Sequence, residues 1–251
     1  LFVDGFDHYV TADLSKKYNV VGVSIDVKAG SGRRGGNSVG RATTPTTGTI
    51  LVKTLAPTTS WVIGFYLKLG AIPTTIFSVL ALRDAGTAQC SLRMNLDGTF
   101  SVVRGISTAV TDGTSTYAYV AGSDIYVEFK VTIADSIGAG TCKVRVNGVD
   151  IITVATGQDL KSTANTTANQ VAIGSIEAGN VSSMDIDDFY VCDQSGATNN
   201  DFLGDIRVDT LLPTSDGTYT DFTPSTGSDH YALVDETAPN TSDYNSGLTV
   251  G

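Results

Sequence analysis

Ser91-Leu92-Arg93-Met94-Asn95-Leu96-Asp97-Gly98-Thr99-Phe100-Ser101-Val102 decides the fold. Leu92, Met94 and Leu96 alternate with polar residues, as do Phe100 and Val102, so each run offers one apolar face at the period of a β-strand. Asp97-Gly98 between them tolerates positive φ, which predicts a two-residue type I′ hairpin. Cys142-Lys143-Val144-Arg145-Val146, Asn147-Gly148 and Val149-Asp150-Ile151-Ile152 repeat the arrangement. In both hairpins one face meets a core and the other meets water.

Working outward, similar β-branched and aromatic runs recur at short intervals, punctuated by Gly, Asp, Asn and Thr. They predict twelve strands, at 19–27, 38–41, 49–55, 61–69, 75–84, 89–96, 99–104, 125–134, 141–146, 149–154, 170–176 and 184–192. The stretch 111–120 reads as polar connection. The one turn of helix in the pattern is 13–17, with Asp13 at its N-cap. Twelve alternating strands make two packed sheets, so the fold class is an all-β antiparallel sandwich.

The chain has 251 residues, 41% of them hydrophobic and 17% charged, with 27 Gly, 6 Pro and a formal net charge of -10. Ser, Thr, Asn and Gly replace charge without removing the apolar content that a core requires. Sixteen basic residues spread thinly through an acidic chain do not suit a phosphate-backbone reader, so nucleic acid is not an expected partner. The longest apolar run, Trp61 to Leu67, is strand-sized, which argues against a membrane-spanning helix. Trp61 itself reads as core. Cys90, Cys142 and Cys192 each sit in an apolar run without metal-ligand spacing; they read as buried thiols, with one disulfide between two of them as the alternative.

Beyond Cys192 the texture turns polar. We read residues 1–193 as the sandwich and 194–251 as an extended C-terminal arm with one added strand at 205–209. Phe222, Tyr231, Leu233 and Tyr244 are spaced along polar chain, a pattern suited to contact with a partner rather than to self-packing.

Phe6-Asp7, Gly35-Gly36-Asn37-Ser38-Val39, Leu92-x-Met94-x-Leu96-Asp97-Gly98-Thr99, Val144-Arg145-Val146-Asn147-Gly148-Val149 and Ile186-Asp187-Asp188-Phe189-Tyr190-Val191 occur in an order that resembles concanavalin A-like, laminin G-like jelly rolls across residues 1–192. Asn199 to Val208, with Thr223 to Tyr231, is similar to the C-terminal part of tailed-bacteriophage structural proteins. That resemblance implies a virion component of capsid or tail, a homo-oligomer whose arm contacts other virion proteins. The alternative is a carbohydrate-binding adhesin module for host-surface glycans.

Glucanases of this superfamily carry catalytic carboxylates as Glu-x-Asp-x-Glu on one strand, because positions i, i+2 and i+4 share a face. The nearest match is Met184-Asp185-Ile186-Asp187-Asp188-Phe189-Tyr190, which lacks the third acid, so the expectation is a chain without enzymatic activity. Asp185, Asp187 and Asp188 are candidate ligands for calcium, a hard cation that prefers carboxylate oxygens; no other cofactor is expected. Tyr117, Tyr119 and Tyr126 are candidate stacking platforms for sugar rings. His8 and His230, each in Asp-His-Tyr, lack a nucleophile elbow. Gly30 to Gly36 reads as a loop between strands.

Overall fold

The computed structural model describes residues 2–41, 49–135, 139–176, 183–218, 221–235 and 242–247. Its strands are β1 (Phe2–Asp4), β2 (Val20–Val21), β3 (Asp26–Lys28), β4 (Ser38–Arg41), β5 (Thr49–Thr58), β6 (Ser60–Leu69), β7 (Phe77–Asp84), β8 (Thr87–Met94), β9 (Thr99–Arg104), β10 (Thr108–Ala118), β11 (Ile125–Thr132), β12 (Gly140–Val146), β13 (Val149–Gln158), β14 (Ala168–Ser175), β15 (Met184–Asp193), β16 (Thr223–Pro224) and β17 (Asn245–Ser246). One sheet has the order β13-β12-β11-β6-β15-β4-β3, with β1 also paired to β15; the other is β10-β9-β8-β7-β14-β5-β2. The two stack as an antiparallel jelly-roll sandwich, the fold class expected from the alternation. We call them the first and the second sheet.

The core lies between the sheets, where Trp61, Ile63, Phe65 and Leu67 of β6 meet Leu80, Leu82, Leu92 and Met94 of β7 and β8. Trp61 is buried, and all three cysteines are buried free thiols, so the disulfide alternative is not taken. Asn147 and Gly148 have φ of 51° and 79°, the paired positive values of the type I′ turn. The first hairpin differs: only Gly98 turns positive, and the loop widens to residues 95–98, closed by Asn95 N–H on the Thr99 carbonyl. β10 was passed over by the pattern, because this edge strand carries Thr and Ser where an apolar alternation would be sought.

Two further corrections concern β15 and the arm. A bulge at Asp188 (φ 46°) shifts the register between Asp187 and Tyr190. Phe189 and Val191 therefore join Met184 and Ile186 in the core, while Tyr190 turns outward with Asp185 and Asp187. Residues 205–209 form no strand. They belong to an extended strap whose Phe202, Leu203 and Ile206 cover Val62, Tyr66, Tyr126, Tyr190 and Cys192 on the outer face of the first sheet. This part of the arm buries itself on its own domain, against the expectation that it would need a partner.

The strap is tied by backbone donors as well as by side chains. Gly204 N–H donates to Glu128 Oε1 (2.8 Å), Val208 N–H to Asp188 Oδ1 (2.7 Å), and Arg33 meets the Asp205 carboxylate with both terminal nitrogens. No described helix is long and apolar enough to cross a membrane.

Beneath the strap, the Tyr190 ring lies against Gly64, in the place a Cβ would occupy. Gly64→Ala is therefore expected to cost about 1–3 kcal/mol by overpacking. Urea unfolding checks it, and an unchanged midpoint would mean that the ring moves aside freely.

Candidate functional site

The outer face of the first sheet holds the acids singled out from sequence. Lys28 Nζ lies 2.5 Å from Asp185 Oδ1, and Ser38 Oγ donates to the same oxygen (2.9 Å). Asp187 accepts the amides of Arg33 (2.8 Å) and Asp188 (2.7 Å), while Asp188 accepts Val208 N–H. Each carboxylate is thus engaged by donors of the chain. Among the described residues no group of three His, Cys, Asp or Glu has the arrangement of a metal site.

The three tyrosines proposed as platforms are placed differently from that expectation. Tyr119 is 3% exposed, its hydroxyl bonded to the Leu69 amide and to the carbonyls of Leu69 and Ser123. Tyr126 is 1% exposed and donates to the Asp188 carbonyl. Tyr117 is half-buried and stacks on Phe100. A polar neighbourhood in sequence did not mean exposure, because 111–118 continues as β10 and its aromatics pack at the sandwich edge.

Of the arm residues, Leu233 is buried, Tyr231 is half-buried, and Phe222 and Tyr244 are 59% and 55% exposed. They belong to a small knot in which β16 pairs with β17 and Asn245 bonds His230. His8 instead contacts Lys17 Nζ, so the two histidines serve separate local contacts.

The outer face of the second sheet was not singled out from sequence. Strand alternation directs Ser78, Ala81 and Arg83 of β7, Ser91 and Arg93 of β8, Ser101 and Val103 of β9, and Ala172 of β14 away from the core, because Phe77, Leu82, Cys90, Leu92, Val102 and Ile173 fill it. Register places Ser78 opposite Arg93, Arg93 opposite Ser101, and Ala81 opposite Ser91. The floor between the two arginines is therefore small side chains, with Ser91 donating to the Gly105 carbonyl (2.6 Å).

Among the described residues those arginines have no hydrogen-bond or ion-pair partner. The chain has sixteen Lys and Arg residues, and the other fourteen are each engaged by another group of the chain. The Nε atoms of both are buried without a hydrogen-bond partner among the described residues. Asp84, next to Arg83 in the chain, accepts from Thr163 Oγ1 (2.7 Å) and Asn165 Nδ2 (3.0 Å), and Asp97 accepts from Thr99. Burial also works against the charge of Arg83, holding its guanidinium below the ordinary arginine range. At the Arg83 end a cleft of about 390 Å³ is lined by Arg104, Gly105, Ile106, Thr108 and Ser162.

A second recess, about 330 Å³, lies over β11 to β13 beside Phe202, whose ring is 4.2 Å from the Arg145 guanidinium. Its cations differ from the arginine pair in each standing beside a carboxylate: Lys130 beside Asp201, and Lys143 and Arg145 sharing Asp150.

No protein-family model matches the chain, and no curated protein sequence is similar to it. Solved structures share its fold. The alginate lyase Aly36B is similar with a TM-score of 0.51 at 9% identity, over 76% of this chain and 95% of that one. A mutant of it in complex with alginate tetrasaccharide has a TM-score of 0.52 at 11% identity, over the same shares. A Trypanosoma rangeli sialidase mutant is similar at a TM-score of 0.45 and 14% identity, with 27% of its own length covered. The alginate lyase likeness corrects one expectation. A sandwich of this kind, matched over nearly its whole length, is itself an enzyme, so the missing third carboxylate on β15 is no ground for excluding activity.

Asp187, 2% exposed, has its carboxyl pushed up to about 8, chiefly by burial, with the like charge of Asp188 adding to it and the donated amides opposing it. The folded chain therefore holds a proton that the unfolded chain releases near the ordinary value of 3.8. The stabilisation is complete below that value and is lost as pH rises through about 8. Thermal melts across this window should show Asp187→Asn gaining on the native chain as pH rises; parallel curves would refute the shift.

Proposed function

We propose that this chain is a carbohydrate-recognising jelly roll that holds its ligand on the outer face of the second sheet, across β7, β8 and β9. The observation that carries the reading is the pair of arginines that meet no acceptor among the described residues of an acidic chain. A half-buried guanidinium costs free energy unless its donors are met, and five N–H groups in a rigid fork suit the oxygens of a polyhydroxylated, oxygen-rich ligand. Gln170, opposite Arg83, and Thr54, opposite Gln170, supply further polar positions of the kind that orient sugars.

The fold supports the reading without deciding the ligand. Sandwiches of the same architecture include the alginate lyase that is solved with alginate tetrasaccharide. A setting on a virion, suggested by the sequence resemblance, is compatible with the same role: exposed Phe222 and Tyr244 of the C-terminal knot would then meet a neighbouring chain while the arginine face stays open.

The test is affinity electrophoresis of the whole chain through gels carrying single polysaccharides, with the same samples assayed for new chain ends as the sign of cleavage. Retardation by at least one polysaccharide is expected, and the double variant Arg83→Ala/Arg93→Ala should migrate as in an empty gel with its circular dichroism unchanged. Losing charge-assisted bonds worth about 1.5–3 kcal/mol corresponds to roughly ten- to a hundred-fold in affinity. Free migration of the native chain in every gel, or equal retardation of both proteins, would sink the proposal.

A further inference from the structure

Resting on that reading, we infer that the ligand is a linear polyanion, an acidic polysaccharide whose carboxylate or sulfate groups are met at two separate points by Arg83 and Arg93, rather than a neutral glycan or a single terminal acidic sugar. The two arginines differ from the twelve cations that stand beside a carboxylate of the chain, and from Lys53, whose ammonium donates to the Lys17 carbonyl. Lys28, Arg33, Lys130, Lys143 and Arg145 each stand within ion-pair distance of a carboxylate of the same chain. An anionic ligand would have to displace those carboxylates, whereas among the described residues no carboxylate meets Arg83 or Arg93.

A neutral hydroxyl would satisfy the donors but not the charge. Desolvated charge is stabilised by an opposite charge with good geometry, and a planar guanidinium matches a carboxylate or sulfate through two parallel N–H···O bonds. The pairing of Asp84 with Thr163 and Asn165, and of Asp97 with Thr99, leaves that place to a ligand.

The spacing argues for a polymer. Arg83 lies opposite Ala88, and Arg93 lies five residues further along β8, opposite Ser78. At about 3.3 Å per residue that is roughly 16 Å along the strand direction, more than one pyranose ring spans. Each Nε is buried, which keeps the two stems down on the sheet rather than free to swing to one anion. Between them Ala81 and Ser91 are small and fully buried, so neither side chain stands up between the two guanidinium groups. The occupant that fits both points is a run of linked sugars, with acidic groups at intervals, laid along β8.

The experiment is titration calorimetry of the native chain with oligouronates graded from one ring upward, a sulfated oligosaccharide series, a neutral series of equal lengths, and a sialylated trisaccharide. The expected result is weak binding of the short acids, a rise of at least tenfold once the oligomer spans both arginines, and no comparable step in the neutral series. Arg83→Gln and Arg93→Gln should each abolish the step while leaving the weak binding of short acids at the other arginine. The uronate and sulfate series tell which anion is preferred.

Equal affinity for neutral and acidic oligomers of the same length would overturn the polyanion inference while leaving carbohydrate recognition standing. Full affinity for the sialylated trisaccharide, with no gain for longer acids, would overturn the two-point geometry. Absence of heat with every series would overturn both this inference and the reading on which it rests.

Discussion

Asp188 stands in the left-handed region at φ 46°, and the two faces of the first sheet depend on it. Non-glycine residues in that region cost on the order of 1–3 kcal/mol and persist only where their surroundings hold them. Here the Tyr126 hydroxyl donates to the Asp188 carbonyl, Val208 N–H to its side chain, and its own N–H goes to Asp187 Oδ1. The extra residue reverses the phase of β15. Without it, Tyr190 would enter the core and Phe189 would face out, and neither the apolar patch nor the carboxylates that receive the strap would exist in this form.

Covering that patch has an electrostatic consequence. The strap carries Asp201 and Asp205 onto Lys130 and Arg33, so the outer face of the first sheet reaches local balance between cations and carboxylates. On the second sheet, by contrast, two arginines meet no acceptor among the described residues. The asymmetry between the faces is thus one of compensation, not of the number of charged groups.

Much of this was legible in sequence. Period-two alternation and the two Gly-bearing turns gave the sandwich, Trp61, Cys90 and Cys142 fell in the core as their apolar surroundings implied, and the Asn147-Gly148 turn has the dihedrals its residues favour. The bulge was not legible, since one inserted residue changes every later side chain's face without altering composition. The strap left a signal that was not used: Trp61 to Leu67 is apolar at every position, and a strand buried on both faces requires a cover on its outer side. Tyr119 was misjudged because exposure was inferred from neighbours in sequence. Arg83 and Arg93 offered no local signal at all, for the lack of a counter-charge belongs to the folded surface rather than to any short stretch.

The same compensation argument separates binding faces from merely charged ones. A cation already met by a carboxylate gains little from a second anion, because the exchange returns one desolvated acid for each ion pair made. At Arg83 and Arg93 no such exchange arises, and the small floor between them leaves the guanidinium groups as the principal recognition elements on that face. Recognition there depends on how far apart a ligand carries its negative groups, which makes the strand spacing of β8, rather than any single pocket, the measure of what the face accepts.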